Sequence, residues 1–294
     1  MANLKEVRIR IKSVSSTQQI TKAMKLVSAN KLRKAQTAIV QMRPYANKLK
    51  GIMQNLSDSI DSPELSAFFE TREPKKILQV LVTSDRGLCG AFNANVGKTV
   101  RSALNGKYKA QWDVGNVHLL FIGKKGFEFF NKYKNLKLDT EYRDAFQNLN
   151  AETVFACGDR IMQQFKNKEY DVVEVVYNQF KNAATQILVT EQLLPVVKPK
   201  SETKSATQND YIFEPSKPEI LLELIPRSIK TQLYKACLDS FASEHGARMV
   251  AMDKATENAG ELLNALKLSY NQARQAAITK ELSEIVGGAA AMAG

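Results

Sequence analysis

MDKATENAGELLNALKLSYNQARQAAITKELSEI, residues 252–285, spaces its apolar side chains alternately three and four apart. Met252, Ala255, Ala259, Leu262 and Leu266 make one seam. One step later it restarts as Leu263, Leu266, Tyr270, Ala273 and Ala277. Lys254, Glu257, Glu261 and Lys267 fall between, a pattern that predicts a coiled-coil helix. The helical reading extends back to Glu219 with Pro226 as its only proline. At 1.5 Å per residue it spans about 100 Å, more than a globular domain needs. Its single stripe has to be covered, and the first sixty residues supply the match.

In that N-terminal stretch Leu4, Val7, Ile11 and Val14 follow a heptad, as do Leu32, Ala35, Ile39, Met42, Ala46, Leu49, Met53, Leu56 and Ile60. Between them the same phase falls on Gln18, Thr21, Lys25 and Ser28, all polar. The apolar Ile20, Met24 and Val27 are displaced by one position. Taken as a phase slip, this changes the local winding and turns Ile20, Met24 and Val27 toward the partner helix. Lys22, Lys25 and Arg33 then occupy the outer side. Pro44 removes a backbone donor and predicts a bend. The simplest architecture pairs the two ends antiparallel. It has an N-terminal coiled-coil helix at 1–60, a C-terminal one at 211–294, and an α/β domain inserted at 74–210.

Strands in the insert are expected at Ile77–Thr83, Val117–Ile122, Val172–Tyr177 and Ile187–Thr190, from their β-branched and apolar runs. Helical patterns at Ala94–Leu104, Phe127–Tyr133 and Ala151–Asn167 alternate with them. That alternation predicts a mostly parallel, Rossmann-like sheet. The polar stretch Lys198–Asp210 reads as a loop.

The chain has 294 residues, 44% of them hydrophobic, enough for a sizeable core. It contains no apolar run of eighteen residues, the length a transmembrane helix requires. Its start, MANLKEVRIRIKSV, reads neither as a signal peptide nor as an organellar presequence. Cys89, Cys157 and Cys237 are too few and too far apart for a disulfide framework or a zinc site. The net charge of +12 is unevenly placed: residues 1–56 hold twelve Lys or Arg against Glu6 alone. This is either a solvated helix face or a surface for an acidic partner.

Sequence motifs for catalysis are sparse. GxxxxGK[ST] does not occur. Ser84-Asp85-Arg86-Gly87-Leu88-Cys89-Gly90 follows the first expected strand without GxGxxG spacing and reads as a tight turn. His118 and His245 stand apart from any acid–nucleophile pattern. Asp85, Asp144 and Asp159 lack metal-ligand spacing. The expectation is a binding or mechanical part with no catalytic residue, cofactor or metal of its own.

Three stretches carry a family resemblance. Thr17–Lys34 (TQQITKAMKLVSANKLRK), followed by Arg43-Pro44-Tyr45-Ala46, resembles the start of the gamma subunit of F-type ATP synthases, in its bacterial form. SDRGLCG at 84–90 is similar to that family's turn after the first strand. ARMVAMD at 247–253 and YNQARQAAITKELSEIVGGA at 270–289 resemble its C-terminal helix. The resemblance implies a central rotor shaft inside a ring of three alpha and three beta subunits. Its α/β domain would lie beside epsilon and its foot on the membrane c ring, at the cytoplasmic face of the bacterial inner membrane. Proton flow through the ring would drive ATP synthesis or hydrolysis on the partners, which hold the catalytic residues, nucleotide and magnesium.

By motif matching, the resemblance also implies site residues. Met24 and Arg248 correspond to segments where the helices meet near the beta-subunit levers. Arg274, Gln275 and Thr279 match an upper contact with the catalytic ring. Lys22, Lys25 and Arg33 form the basic side swept past those levers. Tyr211, Phe213 and Glu214 match the c-ring foot, with Phe213 where a tyrosine is usual. Gly287 and Gly288 read as helix-terminal, ahead of an uncharged tip held in a sleeve of the ring.

Two other readings compete. A basic coiled coil that binds nucleic acid would use the N-terminal charge on phosphates, although its cations alternate with heptad apolar residues and form no dense block. A nucleotide-binding enzyme rests on analogy with the α/β fold alone.

Overall fold

The computed structural model describes residues 4–56, 67–196 and 217–293. Helix α1 is Leu4–Leu56 and the last helix, α6, is Lys217–Ala293; between them lies a five-stranded sheet. In chain order the insert is β1 (Ile77–Val82), α2 (Phe92–Asn105), α3 (Lys109–Asp113) and β2 (Val117–Ile122). There follow α4 (Lys124–Phe130), β3 (Lys137–Asp139), a 3-10 turn at Ala145–Asn148, α5 (Ala151–Lys166), β4 (Val172–Phe180) and β5 (Gln186–Leu194). The strand order is β3-β2-β1-β4-β5. All neighbours are parallel except β4 and β5, whose short connection permits an antiparallel pair.

Two compact units result, one of residues 1–28 with 249–294 and one of residues 29–248. Within the larger unit the sheet is covered on both faces, which is why β1 is buried at all six positions. Leu78, Val80 and Val82 face α5 and the first part of α6 through Ile161, Phe165, Ile225 and Leu233. Ile77 and Leu81 face α2 and α4 through Val96, Val100 and Phe130. Gly123, just after β2, has a φ of 104°. An added Cβ there would lie 2.0 Å from the Thr83 carbonyl oxygen, so the β1 and β2 ends close only over glycine.

The sheet follows the sequence reading closely, with β2 at the expected residues. Strands β4 and β5 run longer than expected, through Phe180 and Leu194. Strand β3, only Lys-Leu-Asp, and the five-residue α3 were not foreseen. Helix α4 begins three residues earlier than its apolar pattern suggested. Gly287 and Gly288 do not end the last helix, which continues to Ala293.

The smaller unit corrects the reading of α1. Thr21 and Ser28 are buried, and Gln18 and Lys25 half-buried, while Ile20 and Val27 are 59% and 58% exposed. There is no phase slip. The heptad that starts at Leu4 and Val7 continues in the same phase through polar residues. In the larger unit Leu32, Ala35, Ile39 and Leu49 keep that phase on a buried face. On α6 the seam of Leu263, Leu266, Tyr270, Ala273 and Ala277 is the half-buried one, and Leu262 turns outward.

Candidate functional site

Two polar constellations stand out, one in each unit. The larger unit's begins with its sheet. Beyond the carboxyl ends of β1 and β4, α/β sheets ordinarily keep a crevice for ligands. Here α6 lies in that place. The Ser243 hydroxyl donates to the Asn178 carbonyl at 3.0 Å, and Ser240 to the Val82 carbonyl at 3.5 Å.

One turn further on, the Arg248 guanidinium donates to the Arg86 carbonyl at 3.0 Å and to the Gly87 carbonyl at 3.2 Å. It also pairs with Glu244 at 2.7 Å, each side chain 8% exposed. The turn therefore presents carbonyl oxygens to a cation where a phosphate site would need amides. The turn's remaining polar groups serve one another. Asn93 donates to the Ser84 hydroxyl at 2.7 Å and to the Cys89 sulfur at 3.3 Å, and accepts from the Ser84 amide at 2.9 Å.

Burial governs the titrating groups here. It pushes the Glu244 carboxyl up against the opposing pull of Arg248, and it raises the Asp85 carboxyl and the Cys89 thiol. His245 is driven down to about 3, first by burial and then by the charges of Arg248 and Lys31. Its Nδ1 lies 3.2 Å from Arg248 Nη1, which can only donate, so Nδ1 accepts and the ring proton sits on Nε2. Nε2 finds no partner among the described residues.

The smaller unit's constellation is the polar seam. The Thr256 hydroxyl donates to the Thr21 hydroxyl at 2.8 Å, and Lys25 pairs with Asp253 at 2.5 Å. Gln18 reaches the Thr256 carbonyl at 3.5 Å. Gly260 leaves room for it, since a Cβ there would lie 3.0 Å from the Gln18 amide nitrogen. Polar residues in a coiled-coil seam weaken it but specify its register, because a shifted register strands each of them without a partner. The buried Thr21 and Ser28 carry this signal in the sequence, although a seam located by apolar positions alone passes over them.

The residues expected to carry function are distributed as follows. Lys22 and Arg33 are exposed on α1 and Met24 is half-buried. Lys25 is not on the outer side, as the phase slip had placed it. It reaches across the seam to Asp253, because the heptad phase never changes. Arg248 is buried in its staple. Arg274, Gln275 and Thr279 are exposed on α6. Tyr211, Phe213 and Glu214 lie outside the described residues. Among the described residues no group of three His, Cys, Asp or Glu is arranged to hold a metal ion, and no helix is long and apolar enough to cross a membrane.

Long terminal helices around an inserted α/β domain, the domain's usual ligand crevice occupied by the chain's own helix, define the class of coiled-coil stalk proteins. A family model described as ATP synthase matches residues 3–292. The ATP synthase gamma chain of Flavobacterium johnsoniae is 56% identical over the whole of both chains. That of Cytophaga hutchinsonii is 55% identical over 99% of each. Among solved structures, the central stalk and c ring of Tetrahymena thermophila mitochondrial ATP synthase contains a chain 27% identical, with a TM-score of 0.57, covering 80% of this chain and 99% of that one. A chain of the Euglena gracilis mitochondrial ATP synthase shares the fold, with a TM-score of 0.67 at 20% identity over 98% of this chain and 94% of that one. The chain belongs to the ATP synthase gamma chain family.

Proposed function

We propose that this chain is the central rotor shaft of a proton-transporting ATP synthase. In this reading its coil stands inside a ring of three alpha and three beta subunits, its α/β domain adjoins epsilon, and residues 211–214 rest on the c ring. The complex works at the cytoplasmic face of a bacterial inner membrane. Ion flow turns the ring and shaft, and the shaft's asymmetry moves each beta subunit in turn through its nucleotide states. The chain itself does no chemistry; it transmits torque.

The observation that carries this reading is α6. It runs 77 residues without interruption, and its last stretch, 278–292, is exposed at every position although it includes Ile278, Leu282, Ile285 and Val286. Such a tip calls for a surrounding protein sleeve. On this reading Lys22, Met24, Arg33, Arg274, Gln275 and Thr279 touch the catalytic ring. Lys25 and Arg248 act through the seam and the staple. Nothing in the structure favours a nucleic-acid reading.

The test is rotation. Cys89, Cys157 and Cys237 are buried, so an exposed Ala110→Cys can be labelled selectively. With the catalytic ring fixed to a surface, the label is expected to turn in one direction when ATP is added. A label that stays still while ATP is hydrolysed overturns the proposal.

A further inference from the structure

We propose that residues 240–248 of α6 form a rotational key, a stretch whose directional contacts stop the helix from turning or sliding on the α/β domain, so that torque applied to the domain reaches the helix without slip. The inference rests on the rotor reading for its purpose. The key itself lies wholly within the larger unit, whose share of α6 ends at Arg248.

From Ala236 to Gly246 every residue of α6 is buried except the half-buried Phe241. A helix covered on all sides is ordinarily apolar all round. This one carries Ser240, Ser243, Glu244 and His245. Its two hydroxyls donate to carbonyls at the ends of adjacent strands, Ser240 to Val82 on β1 and Ser243 to Asn178 on β4. Arg248 fixes a third point on the turn after β1. Phe241 stacks on Phe146 of the 3-10 turn, with ring centroids 6.0 Å apart and planes 5° from parallel.

Gly246 completes the key. A Cβ there would lie 3.2 Å from both the Cα and the carbonyl oxygen of Ala183, in the β4–β5 connection. The hairpin backbone therefore rests directly on the helix, closer than side-chain carbons ordinarily pack. The hairpin tip is braced as well. The Asn182 side-chain oxygen accepts from the Ala184 and Thr185 amides at 3.1 and 2.7 Å, and Gln186 donates to the Ala183 carbonyl at 3.0 Å. Screwing the helix by one residue, a rise of about 1.5 Å with a turn of about 100°, would press His245 or Ala247 against Ala183. The same movement would part both buried hydroxyls from their acceptors. Helix α1, by contrast, buries Leu32, Ala35, Ile39 and Leu49 in this unit, an apolar contact without direction.

Ala183→Cys with Gly246→Cys tests the key in two states of one molecule. The three native cysteines are buried, and the 3.2 Å approach at Gly246 brings the new pair within reach of a disulfide. Reduced, the added atoms wedge the hairpin off the helix; oxidised with diamide, the bond fixes one to the other. The variant chain is assembled into its ATP synthase complex in vesicles, and protons pumped per ATP hydrolysed are measured against an opposing proton gradient. The reduced pair is expected to lower that ratio about two-fold or more, the scale on which a weakened coupling element acts, and oxidation to restore it. Val100→Ala, a core truncation on the opposite face of the sheet, costs stability without touching the key and should leave the ratio unchanged.

A reduced pair that pumps like the parent overturns the proposal. So does an oxidised pair that fails to recover, or Val100→Ala lowering the ratio as far as the reduced pair does. Should the cysteine pair not assemble, Ser240→Ala with Ser243→Ala, which adds no volume, is scored in its place, and a parent-like ratio overturns the proposal equally. Rotation is scored separately. A labelled parent that never turns removes the rotor reading, whereas a parent that turns while the reduced pair keeps the parent ratio removes the key alone.

Discussion

Arg248 bridges two segments that the sequence holds 161 residues apart, its guanidinium donating to the turn that follows β1. Removing it leaves Glu244 buried opposite nothing, a circumstance that costs about 3–5 kcal/mol. Arg248→Ala is therefore expected to lower the unfolding free energy of the full chain, read from urea titration, by that much. Arg248→Lys should recover only part of the loss, because a single ammonium cannot serve Glu244 and two carbonyls at once. Equal midpoints for Arg248→Lys and the parent would show that the planar fork is not what matters. His245 gives the same cluster a pH dependence. Its folded value, about 3, lies below the ordinary 6.5, so the folded state binds fewer protons than the unfolded chain between those limits. Stability on its account is full above 6.5 and is lost as pH falls through that window, by up to about 1.4 kcal/mol per pH unit. The raised Glu244 carboxyl works in the opposite sense above its ordinary value, so the comparison has to be with His245→Gln, which keeps an acceptor for Arg248. The parent should lose more stability than this variant between pH 6.5 and pH 5. Parallel curves from urea titrations followed by circular dichroism would contradict the assignment.

At the scale of elements, α1 reverses the usual rule in its third and fourth heptads, with an amide, hydroxyls and a lysine in the seam and Ile20 and Val27 outside. Exposed aliphatics on a coil that stands alone have no partner; inside a ring they face one. This is also where the sequence misled. Periodicity locates a seam by its apolar residues, and here those residues lie on the other side of the helix. Thr21 and Ser28 mark the inward positions only once the heptad is extrapolated from Val7 and Leu32 without a break. The strands were legible because β-branched runs buried on both faces leave little ambiguity. Strand β3 was not, since Lys-Leu-Asp has no pattern and forms by pairing at the edge of β2. The polar seam yields a double-mutant cycle. Lys25→Asp alone should destabilise the coil, and adding Asp253→Lys should restore it. The pair is worth about 1 kcal/mol or less, given side-chain exposures of 39% and 59%. Lys22, exposed and outside the seam, should behave differently. Lys22→Glu is expected to leave thermal unfolding unchanged while lowering ATP-driven proton pumping, with part of the loss recovered at high salt by screening. A fall in unfolding temperature for Lys22→Glu would place that lysine in the seam after all.

For the whole molecule the two units differ in what can hold them without partners. The larger one encloses two apolar clusters on the faces of its sheet, a core of the kind that survives alone. In the smaller one the described residues buried below a tenth of their surface are few: Val7, Thr21, Ser28, Met252 and Ala259. Two of these are hydroxyl residues and one is an alanine, so the apolar area removed from water along the coil is small. Past Ala277 even that seam ends, and the helix continues with no residue covered. Helical propensity does little for such a stretch, since most of a helix's stability in water comes from packing of its apolar face. Local opening is therefore expected to be cheapest at the tip, intermediate along the coil, and dearest in the sheet. Trypsin acting on the isolated chain should cut first at Lys280 and Arg274, then within residues 5–25 of α1, and should leave a resistant fragment containing β1 to β5. Within the assembled complex the same sites should be protected, because the sleeve and ring supply the missing cover. Mass spectrometry of the timed digests decides the order. Early cleavage inside the sheet with Arg274 intact would mean that the coil carries the chain's stability and that the division of the core drawn from these contacts is wrong.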